Sequence, residues 1–386
     1  MRQAFLLLSQ GHDFLFLLTS METVKEIKLS RRKLKSITSD NKKSAKAAEL
    51  VYVSDQDEGI RREKKGDAFI YLYKGEEVEE ETMWRVKRLV LPPAWENVWI
   101  CPDPSGHLQA TGIDARGRKQ YKYHPLWTQL RNHTKFFNLH DLGLALPAIR
   151  QKLQKDLGRQ GLPQEKVLAA VISLMQCTCI RIGNSAYEKL YGSFGLTTLK
   201  DRHVSIEGNK LSFAFKGKKG VMHNVTLKSR KLAKIVQHCK DIPGKELFQY
   251  IDENGDRKGI DSGMVNNYIK EVSGGNFTAK DLRTWAGSLE ALRAFKEIGE
   301  AETETAAKRN INTALDMVAK QLGNTRAVCR KYYVHPTIID LYSNRQLTKY
   351  LKKIDHDECL IEPHLFAEEK VLMKILENSG AALIAA

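Results

Sequence analysis

Short stretches of this 386-residue chain carry side chains that together could act on a phosphodiester. They are Arg181 in CIRIGN, Lys218 in FKGKKG, Arg283 in KDLRTW, Asn324 in LGNT, and the adjacent Tyr332 and Tyr333 in RKYY. Breaking such a bond takes a nucleophile, stabilisation of charge on the phosphoryl oxygens, and a proton for the departing oxygen. A tyrosine phenolate can attack phosphorus and store the bond energy as a phosphotyrosine, which makes the reaction reversible. A free phenol ionises only near pH ~10, so it needs strongly positive surroundings. Guanidinium groups stay charged and can grip two phosphoryl oxygens in a fork, which lysine cannot do. A lysine can protonate a leaving oxygen, and an amide can donate one hydrogen bond to a nonbridging one. Taken singly, each residue is ordinary: an arginine at a helix end usually sits at the surface, and a lysine at a hairpin tip is usually solvated. The tyrosine pair is equally open. Val328 and Tyr332 share one helical face and Cys329 and Tyr333 the next, so periodicity does not choose between them.

The elements that must position these residues fall into two textures, and the length itself favours two domains. DAFIYLY (67–73) alternates and is aromatic and β-branched, the pattern of a strand. ETMWRVKRLVLPPAW (81–95) starts as a helix and is stopped by Pro92 and Pro93. Short strands separated by Pro/Gly turns follow, giving a small β-rich domain over residues 45–130. From 131 to 350 apolar residues recur at helical spacing, interrupted once by RHVSIEG, KLSFAFKG and VMHNVTLK. Turns at Gly208-Asn209 and Gly217–Gly220 make that interruption a three-stranded antiparallel unit. Helices are predicted over 231–240, 262–272, 280–296, 300–321 and 326–333, and residues 351–386 form a helical appendage. The fold class is α+β: a β-rich N-terminal domain and a larger, mostly helical one with an embedded sheet.

Residues 1–20 contain two apolar patches broken by Gln10, His12 and Asp13, which a signal peptide or membrane helix would not carry. With Met21 following, they are expected to be a start-site artefact or a disordered extension, and residues 1–44 as a whole a basic, partly disordered arm. The net charge of +16 is an electrostatic footprint for a polyanion, most often nucleic acid. Six cysteines form no CxxC pair, which argues against zinc and for free thiols in a reducing cytosol.

As an ordered set, the five positions resemble the active site of type IB DNA topoisomerases, in particular the small bacterial and poxvirus-like branch. GLTTLKDRHVSI running into FKGKKG is similar to the family's lysine hairpin, KDLRTW to its second-arginine helix, and GNTRAVCRKYY to the segment ending in its nucleophile. GIDARGRKQYKYH resembles a strand whose Arg and Tyr side chains touch DNA. The likeness covers roughly residues 45–345. It implies Tyr333 as nucleophile, nine residues beyond Asn324, and leaves Tyr332 to packing, with Pro336 ending the helix behind it. It implies Arg181 and Arg283 as phosphate clamps and, through the pattern Phe-x-Gly-Lys, Lys218 as general acid; a one-residue shift of register would substitute Lys219. Poxvirus members carry histidine where Asn324 stands, and the neutral amide favours plain oxyanion contact. DNA contacts are expected from Arg116, Arg118, Gln120, Tyr121 and Tyr123 on the N-terminal strand and from Lys280.

The resemblance implies relaxation of supercoiled duplex DNA through a 3′-phosphotyrosyl intermediate by a cytoplasmic, nucleoid-associated monomer that clamps double-stranded DNA. No membrane association is expected. No acidic Mg²⁺ cluster and no G-x-x-x-x-G-K-[ST] loop accompany the set, so neither metal nor ATP is expected as cofactor. A tyrosine recombinase uses a related constellation, but usually carries histidine where Lys280 stands and an all-helical N-terminal domain where 67–125 reads as strands. A non-enzymatic basic DNA-binding protein is the third reading, and it gives Tyr333 no special role.

Overall fold

The computed structural model describes residues 26–28, 40–66, 68–115, 117–352, 354, 362–378 and 383–385. The readings of residues 1–20, and of Arg116, lie outside them. The chain divides into two compact units, Met1–His133 with Ala381–Ala386, and Thr134–Gly380.

In the first unit, helix α1 (Asn41–Ala47) starts at Asp40, whose carboxylate accepts from the amides of Lys42 and Lys43. Strands β1 (Ile60–Lys65), β2 (Ala68–Tyr73) and β3 (Glu76–Glu77), helix α2 (Glu80–Arg88), and strands β4 (Glu96–Ile100), β5 (Leu108–Ile113) and β6 (Lys119–Tyr123) follow. The strands form one antiparallel sheet in the order β3-β2-β1-β4-β5-β6. Ile60, Tyr71, Val98, Ile100 and Ala110 of the sheet pack with Val86 of α2 into a small core. Helix α2 stops at Arg88, ahead of the Pro92-Pro93 pair. Glu26–Lys28 pairs antiparallel with Leu383–Ala385.

Helix α3 (Pro125–Leu157) contains the boundary between the units. Its buried residues Leu139, Leu142, Leu146, Ile149, Leu153 and Leu157 recur every three or four positions and belong to the core of the second unit. That unit continues with α4 (Gln164–Thr178), α5 (Ser185–Tyr191), strands β7 (Val204–Glu207), β8 (Lys210–Lys216) and β9 (Met222–Lys228), and α6 (Arg230–Asp241). A short hairpin, β10 (Gln249–Ile251) and β11 (Arg257–Gly259), leads into α7 (Ser262–Ser273), α8 (Ala279–Ile298) and α9 (Glu304–Leu322). Helices α10 (Arg326–Tyr332), α11 (Pro336–Ser343), α12 (Thr348–Leu351) and α13 (Ala367–Asn378) complete it. The architecture is α+β, with the embedded antiparallel sheet ordered β9-β8-β7. Leu211, Phe213 and Phe215 alternate inward along β8.

Helix α13 is held by charge as well as by apolar packing. Glu369, buried, accepts from both terminal nitrogens of Arg150 (2.8 and 2.7 Å) and from Trp285 Nε1 (3.0 Å), and Arg293 of α8 pairs with Glu368. Cys101, Cys179, Cys239 and Cys329 are free and buried. Cys177 departs from the expectation of free thiols: it is disulfide-bonded. Among the described residues no helix is long and apolar enough to cross a membrane.

Candidate active site

Arg181 stands two residues beyond Cys179, the C-cap of α4, which takes the left-handed conformation (φ 55°) and turns the chain out of the helix. Beyond it the backbone is pinned, since Leu196 N–H donates to Arg181 O (2.8 Å) and Thr197 N–H to Ile182 O (2.7 Å). Arg283 comes from the second turn of α8. The start of that helix is fixed by Thr278 and Asp281, with the Asp281 carboxylate accepting from both Thr278 N (2.8 Å) and its hydroxyl (2.7 Å). Asn324 follows Gly323, the left-handed C-cap of α9 (φ 58°).

These three side chains converge. Arg181 Nη2 donates to Asn324 Oδ1 (2.6 Å) and to Gly323 O (3.1 Å), and Arg283 Nη2 donates to Leu322 O (3.0 Å). The Arg283 guanidinium lies over the Tyr333 ring, 5.5 Å from its centroid. Burial, then the like charge of Arg283, push the Arg181 pKa down to about 10, which still leaves it charged at neutral pH. Arg283 is 5% exposed, and its Nε and Nη1, together with Asn324 Nδ2, are buried donors without a hydrogen-bond partner.

Tyr333 is the C-cap of α10, its N–H bonded to Cys329 O (2.9 Å). The helix thus ends at Tyr332 without help from Pro336, which instead opens α11 at its first turn, where a missing N–H costs nothing. Packing is not left to Tyr332 alone: Tyr333 packs against the core of its unit. Two neighbours on α8 hold its backbone. A Cβ on Gly287 would lie 2.8 Å from Tyr333 O. The buried Ser288 hydroxyl donates to Tyr333 O (3.3 Å) and accepts from His335 N–H (3.1 Å).

Lys218 lies on the exposed tip between β8 and β9, its ammonium 6.0 Å from the centroid of Tyr187. The tip closes through Gly217 N–H to Val221 O (2.7 Å). Lys219 takes a left-handed φ of 61°. Lys280 is exposed in the first turn of α8. The sequence reading passed over Gly287, Ser288 and His223, the last of which faces Phe215 across the hairpin. For His223 the hairpin register was the available signal; for the other two, 45 or more residues from Tyr333 in sequence, there was none.

In the first unit Tyr121 and Tyr123 share a face of β6, are 49% and 41% exposed, and stack with centroids 5.9 Å apart. Arg118 and Gln120 are turned to Asp114, with Arg118 Nε and Gln120 Nε2 donating to its Oδ2 at 2.8 and 2.9 Å. Lys119 pairs with Asp55 at 2.5 Å.

Comparison with known proteins bears on both units. Residues 124–358 match the family described as eukaryotic DNA topoisomerase I, catalytic core, and residues 68–114 match the bacterial DNA topoisomerase IB N-terminal domain. The DNA topoisomerase 1B of Acanthamoeba polyphaga mimivirus is 34% identical over 298 residues, covering 74% of this chain and 88% of that protein. The DNA topoisomerase 1B of vaccinia virus (strain Western Reserve) is 25% identical over 271 residues, 69% and 82% of the two chains. All five positions of the predicted set fall inside the matched catalytic core, and the family holds across most of the chain: it belongs to the type IB DNA topoisomerases.

Proposed function

We propose that the chain relaxes supercoiled duplex DNA with Tyr333 as its nucleophile. The phenolic oxygen, having lost its proton to water, attacks the scissile phosphorus and the P–O5′ bond breaks. The departing 5′ oxygen takes a proton from Lys218, and a 3′-phosphotyrosyl bond holds the strand while torsion turns the free end. The reverse attack reseals it, so the bond energy is conserved and neither ATP nor metal is consumed. Arg181 and Arg283 supply the positive field, and Asn324 donates to a nonbridging oxygen.

The observation that carries this reading is the set of buried unpaired donors on Arg283, whose guanidinium lies over the Tyr333 ring, and on Asn324, which meets Arg181. A buried donor left unpaired costs ~1–3 kcal/mol, a cost that phosphoryl oxygens offset when DNA binds. Donors arranged before the substrate arrives need no reorganisation during reaction, which is where such sites gain rate. Residues 131–350 would hold this chemistry and residues 45–130 would grip the duplex, with 1–44 an arm and 351–386 an appendage. A single copy, cytoplasmic and nucleoid-associated, would clamp the DNA. Tyr121, Tyr123 and Lys280, all exposed, would contact it. Arg118 and Gln120 would do so from their hold on Asp114.

The test is plasmid relaxation without ATP or Mg²⁺. Tyr333→Phe should abolish relaxation and the covalent adduct while Tyr332→Phe keeps both. An active Tyr333→Phe protein would end this reading.

A further inference from the structure

The lysine hairpin and the Asn324 turn meet on His223. Its ring stacks on Phe215, its partner across the hairpin, with centroids 5.0 Å apart and planes 11° from parallel. Phe215 is itself buried at 3% exposure. The edges of the imidazole lie against two glycines. A Cβ on Gly217 would fall 2.5 Å from His223 Cδ2, and one on Gly323 would fall 2.5 Å from Cε1, both far inside contact distance. Gly217 immediately precedes Lys218, and Gly323 immediately precedes Asn324. Gly323 also accepts from Arg181 and holds a φ of 58° that side-chain-bearing residues rarely adopt. The ring is therefore wedged between the backbone that carries the lysine and the backbone that carries the amide and one arginine. Burial first, then Arg181 and Arg283, lower the His223 pKa, so the ring is uncharged at neutral pH and does not oppose the arginines beside it.

We propose that His223 is a positioning residue that fixes the Lys218 hairpin against the Gly323–Asn324 turn and so delivers Lys218 to the departing 5′ oxygen. This rests on Lys218 being the general acid. Truncating the ring would leave the hairpin tip unsupported on the side of the site. The loss should then fall on protonation of the leaving group, with phosphate binding untouched.

A leaving-group substitution isolates that step. Single-turnover cleavage is timed on duplexes whose scissile phosphate carries either oxygen or sulfur at the 5′ bridging position. A thiolate departs without a proton, so a defect in acid catalysis disappears on the sulfur substrate. His223→Ala should cleave the oxygen substrate about 10²-fold slower, at the lower end of what general acid catalysis contributes. On the sulfur substrate it should come within about fivefold of the parent, with duplex affinity unchanged. His223→Phe, which keeps a flat ring on Phe215, should recover most of the oxygen rate. Should His223→Ala melt below the assay temperature, His223→Gln is read in its place.

A parental oxygen rate in the truncated variant overturns the proposal, and so does a loss of equal size on sulfur. Lys218→Ala, run alongside, separates the two ways of failing. Rescue of Lys218→Ala but not of His223→Ala by sulfur removes the role of His223 alone. Rescue of neither removes the reading of Lys218, and the proposal with it.

Discussion

Arginine has only donors, so the Asn324 atom that meets Arg181 Nη2 at 2.6 Å has to be the amide oxygen, and Nδ2 then points away as a donor. This orientation separates two substitutions that look alike. Asn324→Ala removes the donor and the partner of Arg181 together. Cleavage should fall about 10²- to 10³-fold, the usual cost of one oxyanion donor. Asn324→Asp keeps an acceptor for Arg181, so thermal stability should hold, but it presents a carboxylate where a phosphoryl oxygen would sit. Its single-turnover cleavage should be slower than that of the alanine variant. An aspartate variant faster than alanine would mean that Asn324 serves only to hold Arg181. At this scale the proposed set could be picked out only as an ordered resemblance, since each residue type taken singly is ordinary. The amide orientation was not, since it depends on a partner 143 positions away. The tyrosine pair shows the same limit: the family's spacing points to Tyr333, but the backbone contacts that Gly287 and Ser288 of α8 make with it leave no local trace.

Helix α8 links the site to the C-terminal segment, since the element that carries Arg283 also carries Trp285 and Arg293, the partners of Glu369 and Glu368 on α13. Glu369→Ala would leave Arg150, 5% exposed, as an uncompensated buried charge. The expected loss is about 3–5 kcal/mol in urea unfolding, with relaxation by the remaining folded protein intact. A smaller pH effect sits on α11. His335 caps that helix, its Nδ1 accepting from Thr337 N–H, and burial lowers its pKa from 6.5 to about 4. A histidine with a depressed folded pKa adds stability that is complete above the unfolded value and is lost as pH falls from 6.5 toward 4, on the order of 3 kcal/mol in full. His335→Asn keeps an N-cap acceptor without the titration, so its melting temperature should drop less steeply across that window. A parallel drop would place the pH sensitivity on other groups. The elements themselves were largely readable from the sequence. The β7–β9 unit follows from its turns and alternation, and α7, α8 and α10 begin and end within a few residues of their periodic runs. Contacts such as Arg150 to Glu369, 219 positions apart, leave no local trace.

At the scale of the whole molecule the net charge of +16 makes salt-sensitive DNA affinity the expectation, with the slope set by the number of phosphates gripped. Each phosphate neutralised by Lys or Arg releases condensed counterions, so log K falls linearly with log salt at about −0.9 per contact on duplex DNA. A protein gripping DNA through about six to ten phosphates loses ~10³- to 10⁵-fold in affinity between ~50 and ~200 mM salt. A loss of that order is expected here, measured by fluorescence anisotropy on a short duplex with Tyr333→Phe protein to prevent covalent trapping. The charges of the N-terminal strand should not contribute alike. Arg118 is already paired with Asp114 at 2.6 Å, and Lys119 with Asp55, so each exchanges one partner for another on meeting phosphate. Lys122 is exposed on the same strand. Lys122→Ala should therefore lower the salt slope by about one contact, and Arg118→Ala by less. Tyr121→Ala carries no charge change, so it should weaken binding at every salt concentration and leave the slope where it was. A nearly flat salt dependence of the parent protein would contradict a grip built on phosphates. A larger slope change for Arg118→Ala than for Lys122→Ala would mean that the Asp114 pair opens when DNA binds.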